Sequence, residues 1–274
     1  MMTQAEMNLL VPQRLAQIEG KYGVRALCAV ESGSRAWGFA SPDSDFDVRF
    51  IYIRPREDYL RLHGHRDVIE TPIDDTWDVS GWDLQKALRL LYNSNPTLFE
   101  WQDSAIRYLD TGFEARFAPM LAEYFQKKAM MYHYFHMARN NIRAYLRRES
   151  VKPKKYFYAL RPVLACQWIR EHDSPPPMLY DTLAEAELPP ALGDVNARLL
   201  EMKRELPEGA TIKPIREIDA FLDESLEALE GYMHALPDYK PGDWEPLEEF
   251  FLAELERNWP AGKPGARVER EDGL

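Results

Sequence analysis

The fold is decided by the stretch GSRAWGFASPDSDFDVRFIYI, residues 33–53. Its second half alternates strictly between two sets of side chains. In a strand, every second residue points to the same face. One face would carry Phe46, Val48, Phe50 and Tyr52, and the other Asp47, Arg49, Ile51 and Ile53. This pattern predicts a strand over residues 46–53 with at least one buried face.

The turn before this strand is typical of a phosphate-binding loop. The apolar run ALCAV, residues 26–30, predicts a buried strand, and Gly33-Ser34 follows it closely. Glycine lets the backbone approach a ligand, and the Ser34 hydroxyl with the following N–H groups can hold phosphate oxygens. An ordinary strand-to-helix turn has the same appearance. The segment is not a Walker A loop, because no Gly-Lys-Ser/Thr follows.

Carboxylates form the second candidate feature. Asp45 and Asp47 are two residues apart, so they share a face and repel unless a cation lies between them. Mg²⁺ prefers such carboxylates together with phosphate oxygens, although a solvated turn before a strand is the alternative. Asp78 lies in a later predicted strand, over 76–80, and would complete a triad for two-metal phosphoryl transfer. The rivals for its place are Asp74, Asp75 and Asp83.

The remaining chain divides into two parts of different character. A helix over 4–20 precedes the first strand, a short strand over 67–70 precedes the one at 76–80, and a helix is predicted over 82–92. Beyond residue 113 the spacing predicts helices at 113–129, 130–149, 156–171, 178–187, 192–205, 214–236 and 245–257. We therefore expect an α+β domain over 1–112, a helical domain over 113–258 and a loose tail over 259–274.

Charge is unevenly distributed along the chain. The net charge is −11, yet residues 127–170 hold eleven Lys or Arg and a single acid. A focused basic patch in an acidic protein indicates one anionic ligand site, whereas the alternative is a solvated face that pairs with the acidic C-terminal helices. Arg139, Arg143 and Arg147 would form one helical stripe that binds the acceptor. The predicted phosphate contacts to the nucleotide are Lys154, Lys155 and Arg161.

Composition excludes several classes of protein. No apolar run approaches the roughly 18 residues that a membrane helix needs, and the N-terminal stretch lacks the pattern of a secretory signal. The two cysteines are too few for a disulfide scaffold or a zinc cluster. We expect a cytoplasmic protein with no membrane partner.

The order of the motifs resembles a known superfamily. Gly33-Ser34, then Asp45-Phe46-Asp47 opening a strand, then a lone Asp78 is the signature of DNA polymerase β-type nucleotidyltransferases. The stretches at 33–55, 80–101, 128–141 and 151–166 look like the predicted nucleotidyltransferases of the YcgL type, which are also described as RNA-ligase-associated or RNA-repair-pathway-linked. The resemblance implies a small mixed sheet with flanking helices, followed by a helical extension.

The resemblance also implies a chemistry. Such an enzyme moves an NMP from an NTP to a hydroxyl and releases pyrophosphate, with Mg²⁺ or Mn²⁺ as cofactor. Gly33 and Ser34, helped by Arg35, would bind the β- and γ-phosphates. Asp45 and Asp47 would hold both metals, and Asp78 would ligate the catalytic metal and orient the acceptor.

The acceptor is left open by the sequence. An RNA 3′ end ranks first, since it fits the basic patch and a functional link to an RNA ligase. A protein side chain and a small molecule follow. A nucleotide- or RNA-binding module without turnover is the non-enzymatic alternative, and the sequence gives no indication of oligomeric state.

Overall fold

One mixed sheet organises the N-terminal half of the chain. The computed structural model describes residues 2–41, 44–71, 77–207, 209–238 and 242–260. Its strands are β1 (Arg25–Glu31), β2 (Phe46–Ile53), β3 (Val68–Glu70), β4 (Trp77–Asp83) and β5 (Arg107–Asp110). They lie in the order β3-β4-β2-β1-β5. The β2–β4 pair is parallel and the other pairs are antiparallel. This is the predicted small mixed sheet.

Helices flank the sheet and make up the C-terminal half. They are α1 (Gln4–Tyr22), α2 (Gly33–Ala36), α3 (Arg56–Tyr59), α4 (Leu84–Tyr92), α5 (Pro96–Asp103), α6 (Phe113–Tyr124), α7 (Lys127–Asn141), α8 (Pro153–His172), α9 (Tyr180–Glu187), α10 (Gly193–Glu205), α11 (Arg216–Ala235) and α12 (Glu245–Asn258). A π-helical turn, Ile142–Leu146, follows α7, and a 3₁₀ turn, Pro190–Leu192, precedes α10. The α+β class is confirmed. No helix among the described residues is long and apolar enough to cross a membrane.

The alternation of β2 separates two cores. Its aromatic and valine face packs in one cluster with the buried stripe of α1, which consists of Met7, Val11, Leu15 and Ile18. Ile51 and Ile53 face the other way and join the large cluster that also contains α7 and α8. The predicted division of faces is therefore confirmed. The large cluster draws on residues from both sides of position 112, and the predicted domain boundary there stays a prediction.

Two predicted helices begin or end elsewhere. The helix predicted from residue 82 starts at Leu84, because Asp83 is its N-cap and accepts a hydrogen bond from Gln85 N at 2.9 Å. Trp82 consequently belongs to strand β4. The helix predicted over 130–149 ends as an α-helix at Asn141. A π-turn places more residues in each turn, so the helical spacing does not continue unbroken to Arg147. Arg139 lies on α7, Arg143 in the π-helical turn and Arg147 directly after it, and their common stripe stays a prediction.

Candidate active site

Two aspartates meet on the sheet face that looks toward the helical half. In the parallel β2–β4 ladder, Asp47 and Asp78 are register partners. Arg49 Nη2 lies 2.9 Å from Asp47 Oδ1 and 2.8 Å from Asp78 Oδ2. Arg49 Nη1 also donates to the carbonyl oxygen of Asp78 at 3.0 Å. The two predicted carboxylates are thus brought together, and a guanidinium lies between them.

Burial and neighbouring charges determine the electrostatics of this pair. Burial raises the pKa of the Asp47 carboxyl, Arg49 lowers it, and the negative charges of Asp78 and Asp45 raise it further. Asp45 is exposed and directly precedes β2. Concentrated negative charge makes this corner of the sheet an attractive place for a cation.

A close approach explains the glycine that opens α2. Gly33 has a φ of +60°, in the left-handed region. A Cβ at this position would lie 2.0 Å from Asp47 Oδ2, so a side chain would displace the carboxylate. Ser32 N donates to the carbonyl oxygen of Asp47 at 2.8 Å and fixes the turn against β2. The sequence predicts that Gly33 lets the backbone approach a ligand. The structure shows that the missing side chain makes room for the Asp47 carboxylate, and the ligand contact stays a prediction.

Arg35 holds the segment that carries Asp45. Its Nη2 donates to Ser44 O at 2.6 Å and its Nε donates to Asp45 O at 3.1 Å. The guanidinium also lies 3.7 Å from the centre of the Phe46 ring. Arg35 therefore has a structural role, and its contact with a nucleotide stays a prediction.

A buried acid, Glu31, holds the backbone of Asp47. Glu31 Oε1 accepts a hydrogen bond from Asp47 N at 2.8 Å, and the Tyr108 hydroxyl donates to Glu31 Oε2. Glu31 is fully buried, and burial raises its pKa to about 7. Sequence reasoning missed Glu31 and Arg49. The available signals were an acid that ends an apolar run and an arginine two residues beyond Asp47 on the same face.

A cleft of about 670 Å³ opens beside Asp78. Its walls combine charged, hydroxyl and indole side chains from β4, α5 and the segments next to them. The lining consists of Ser32, Arg49, Glu70, Thr71, Asp78, Ser80, Trp82, Thr97 and Trp101. Such a mixed, concave surface next to paired carboxylates is typical of a substrate site.

The carboxylate pair is chemically suited to a divalent cation. Asp47 and Asp78 offer hard oxygen ligands of the kind that Mg²⁺ and Mn²⁺ select. Arg49 now supplies the positive charge between them, so a cation would compete with the guanidinium or push it aside. Within the described residues, no group of three or more His, Cys, Asp or Glu side chains is arranged as a metal site. The donor set fits a metal, and the third ligand stays a prediction.

A family model described as the RNA repair pathway DNA polymerase beta family, RlaP, matches residues 7–253. The chain belongs to this family. The uncharacterized protein YcgL of Bacillus subtilis (strain 168) is 43% identical over 258 residues, which is 93% of this chain and 99% of that protein. A crystal structure of a nucleotidyltransferase-like protein from Exiguobacterium sibiricum 255-15 has 14% sequence identity and a TM-score of 0.31, and the match covers 90% of this chain and 79% of that one. The resemblance found in the sequence is confirmed.

In this RlaP-family chain, Asp83 is excluded as the third carboxylate of the site. It is fully buried, and burial raises its pKa to about 6. Its Oδ2 lies 3.4 Å from Arg54 Nε, and both carboxylate oxygens accept from the Tyr59 hydroxyl at 3.1 Å. It is absent from the lining of the cleft, and its N-cap role accounts for it. Asp74 and Asp75, the other rivals, lie outside the described residues.

Arg161 corrects one prediction. It is 2% exposed, its Nη1 lies 2.7 Å from Glu100 Oε1, and its Nη2 donates to Met178 O at 3.2 Å. This guanidinium belongs to a structural ion pair in the helical core. Its burial leaves no exposed N–H group that could bind a phosphate. Sequence reasoning placed it on a nucleotide because the local run of basic residues gives no sign of its distant partner.

The first turns of α8 carry two of the predicted phosphate ligands, Lys154 and Lys155. Lys155 Nζ is 3.8 Å from the centre of the Tyr145 ring and 4.7 Å from that of Tyr158. Tyr158 packs edge-on against Trp37, which directly follows α2, at 6.0 Å between ring centroids. Lys154 occupies the same first turn of α8. Helix α8 therefore contacts the residue that follows α2, and the contact of Lys154 and Lys155 with a nucleotide stays a prediction.

The arginines predicted to bind the acceptor pair with α11. Arg139 Nη1 lies 3.8 Å from Glu230 Oε1, and Arg147 forms an ion pair with Asp223. Arg143 is exposed. Two of the three arginines thus make the pairing with acidic C-terminal helices that was the alternative interpretation. These ion pairs are about half-exposed and therefore weak, so an RNA phosphate could displace the carboxylates. Acceptor binding by these arginines stays a prediction.

Proposed function

We propose that this protein is a metal-dependent nucleotidyltransferase that moves an NMP from an NTP to an RNA 3′ hydroxyl and releases pyrophosphate. One observation carries the proposal: the Asp47 and Asp78 carboxylates converge in one register pair beside the Gly33 turn. Membership of the RNA repair family supports the same class of reaction. In such reactions the protein supplies mainly position and charge.

The carboxylates would hold the metal. Asp47 and Asp78, with Asp45 as the third ligand, would bind Mg²⁺ or Mn²⁺. When bound, the metal lowers the pKa of a hydroxyl nucleophile and neutralises charge on the transferring phosphate. Glu31 keeps Asp47 in place by accepting its backbone N–H. Arg49 keeps the two carboxylates together while no cation is bound.

The Gly33-Ser34 turn would receive the triphosphate. Ser34 would donate its hydroxyl to a phosphate oxygen, and the backbone amides after Gly33 would contribute further hydrogen bonds. Lys154 and Lys155 would approach from the start of α8, which already contacts this region through Tyr158 and Trp37. Arg35 would act by holding the segment with Asp45 against β2.

The acceptor ranking rests on the family context. RNA repair favours an RNA 3′ end and a functional link to an RNA ligase. A protein side chain and a small molecule remain the alternative acceptors, and a binding module without turnover is the alternative to an enzyme. Intact carboxylates at both register positions favour catalysis.

The test measures which molecule receives a labelled nucleotide. The protein is incubated with Mg²⁺ or Mn²⁺ and each α-labelled NTP in turn, together with a short 3′-hydroxyl RNA and, separately, a cell lysate. We expect label on the RNA, and none on the same RNA with a 3′-deoxy end. Label on protein would move the assignment to a protein-modifying enzyme. Bound NTP without label or pyrophosphate would contradict the proposal.

A further inference from the structure

Strand β4 presents three side chains to the cleft in sequence. Asp78, Ser80 and Trp82 alternate along the strand, so they share one face. The strand rises by about 13 Å between Asp78 and Trp82. The cleft therefore extends from the carboxylate pair at one end to an aromatic wall at the other.

Two indoles form that wall. Trp82 of β4 and Trp101 of α5 lie 4.4 Å apart between ring centroids, with their planes tilted by 39°. Trp101 is buried, whereas Trp82 is half-buried and lines the cleft. A partly exposed indole backed by a second ring is a rigid surface on which a planar group can stack. Every nucleobase has such a planar face.

The hydroxyl groups and charges that line the cleft indicate what else the ligand contains. Ser80, Thr71 and Thr97 line the cleft and can donate to or accept from the edge of a base or a ribose. The one cationic side chain in the described lining, Arg49, is already paired with Asp47 and Asp78. A run of phosphodiesters would therefore lack a counter-charge in this cleft. A neutral nucleoside needs none.

We infer that this cleft is the acceptor site and that it takes the terminal nucleoside of an RNA, with the base stacked on Trp82 and the 3′ hydroxyl directed toward Asp78. The inference rests on the proposed transfer to an RNA 3′ end and names the subsite that performs it. Trp82 contacts the acceptor alone. It acts on binding of the RNA end and does not touch the NTP.

The test compares RNAs and tryptophans together. A short single-stranded RNA with a 3′ hydroxyl, and the same RNA with an abasic 3′-terminal residue, are titrated against wild type without NTP by fluorescence anisotropy. Both titrations are repeated with Trp82→Ala and Trp82→Phe. The control is Trp244→Ala, which removes a half-exposed indole from a different cleft, where it stacks on Tyr92.

Stacking on Trp82 predicts coupled losses. Trp82→Ala should weaken binding of the intact RNA by about 5- to 150-fold, the range that corresponds to removing one base–aromatic stack. It should not weaken binding of the abasic RNA further, because the base and the ring are lost together. Trp82→Phe should recover most of the affinity, and Trp244→Ala should bind both RNAs like wild type.

Several results would overturn the inference. They are no measurable RNA binding by wild type, equal affinity for the intact and abasic RNAs, or a folded Trp82→Ala that loses affinity for both RNAs alike. The abasic comparison on wild type decides the matter even if Trp82→Ala does not fold. NTP-dependent pyrophosphate release is measured in parallel. Pyrophosphate release without base-dependent RNA binding would support the proposed transfer and reject this subsite. Base-dependent RNA binding without pyrophosphate release would support stacking on Trp82 and reject the proposed transfer.

Discussion

Asp47 and Asp78 are register partners on parallel strands, and one nitrogen of Arg49 lies within 2.9 Å of a carboxylate oxygen of each. The pair is only partly exposed, so its like charges would repel strongly without this guanidinium. Arg49 thus occupies the place where a divalent cation would be expected to bind. The competition between guanidinium and metal can be measured.

Replacement of Arg49 by methionine should make the fold depend on metal. Without a divalent cation the free energy of unfolding should fall by about 1–3 kcal/mol, because two partly buried carboxylates lose their shared donor. Added Mg²⁺ should raise the melting temperature more in Arg49→Met than in wild type. Thermal melts with and without MgCl₂ check this.

The matched control for Arg49 is Arg66→Met. Arg66 pairs with Glu70 at 2.9 Å, but both side chains are largely exposed. Such a pair contributes less than about 1 kcal/mol, so neither the stability nor the response to Mg²⁺ should change much. An equal Mg²⁺ response in Arg49→Met and wild type would contradict the competition.

Gly33→Ala should disable the site without unfolding the protein. The new Cβ would overlap Asp47 Oδ2 and would need a left-handed backbone, so the carboxylate must move. A displacement of about 1 Å typically costs about 100-fold in rate. The control is Gly20→Ala in α1, where the added carbon meets no atom within 4 Å apart from the neighbouring backbone of its own helix, and this variant should keep full activity. Similar transfer rates in the two variants would show that the turn does not position Asp47.

Arg161 should matter for stability and not for the nucleotide. Arg161→Met leaves the largely buried Glu100 carboxylate with the Tyr134 hydroxyl but without its cation, so we expect a loss toward the lower end of the roughly 3–5 kcal/mol that breaking a buried pair costs. Urea denaturation measures this loss. The double variant with Glu100→Gln should recover part of it, and the KM for NTP should stay close to that of wild type. Normal stability with a raised KM would restore the original prediction of a phosphate contact.

Asp83 should give the protein a recognisable pH dependence. Burial raises its pKa from 3.8 to about 6, so between these values the folded state keeps a proton that the unfolded state has released. The contribution of Asp83 to stability is therefore complete below about pH 4 and falls as the pH rises to 6. Asp83→Asn removes this titration but retains an N-cap acceptor.

The measurement is chemical denaturation of wild type and Asp83→Asn at several pH values. The stability of wild type relative to the variant should fall by up to about 3 kcal/mol between pH 4 and pH 7, since each pKa unit corresponds to 1.36 kcal/mol. A difference that stays constant with pH would show that Asp83 is ionised in both states. A difference that grows with pH would mean that Arg54 lowers its pKa instead.

Local patterns predicted four of the five strands and the shared face of Asp47 and Asp78, but not β5. The alternation in 46–53 gave the two faces of β2, and the same parity placed Asp47 and Asp78 on one face once their strands were neighbours. Trp82 was predicted to lie on a helix because 82–92 has helical spacing throughout. In the structure Trp82 instead pairs with Ile51 of β2 and Val68 of β3, and Asp83 caps the helix that follows. The indole wall was therefore not predictable from spacing.

Distant partners were beyond the reach of the sequence. The chain separates Arg161 from Glu100 by 61 residues and Glu31 from Tyr108 by 77. Nothing in the local composition distinguishes a buried arginine with such a partner from an exposed one that binds phosphate. For Arg139 and Arg147 the charge pattern offered pairing with the acidic C-terminal helices as the alternative, and their partners do lie on α11.

We propose that Asp47 and Asp78 act together in nucleotidyl transfer. The most direct test of this proposal is pyrophosphate release with Mg²⁺, NTP and a 3′-hydroxyl RNA, for wild type, Asp47→Asn, Asp78→Asn and the control Asp83→Asn. The first two variants should fall to the level of a protein-free reaction while remaining folded, and Asp83→Asn should release pyrophosphate like wild type. Near-normal release by either Asp47→Asn or Asp78→Asn would contradict the account.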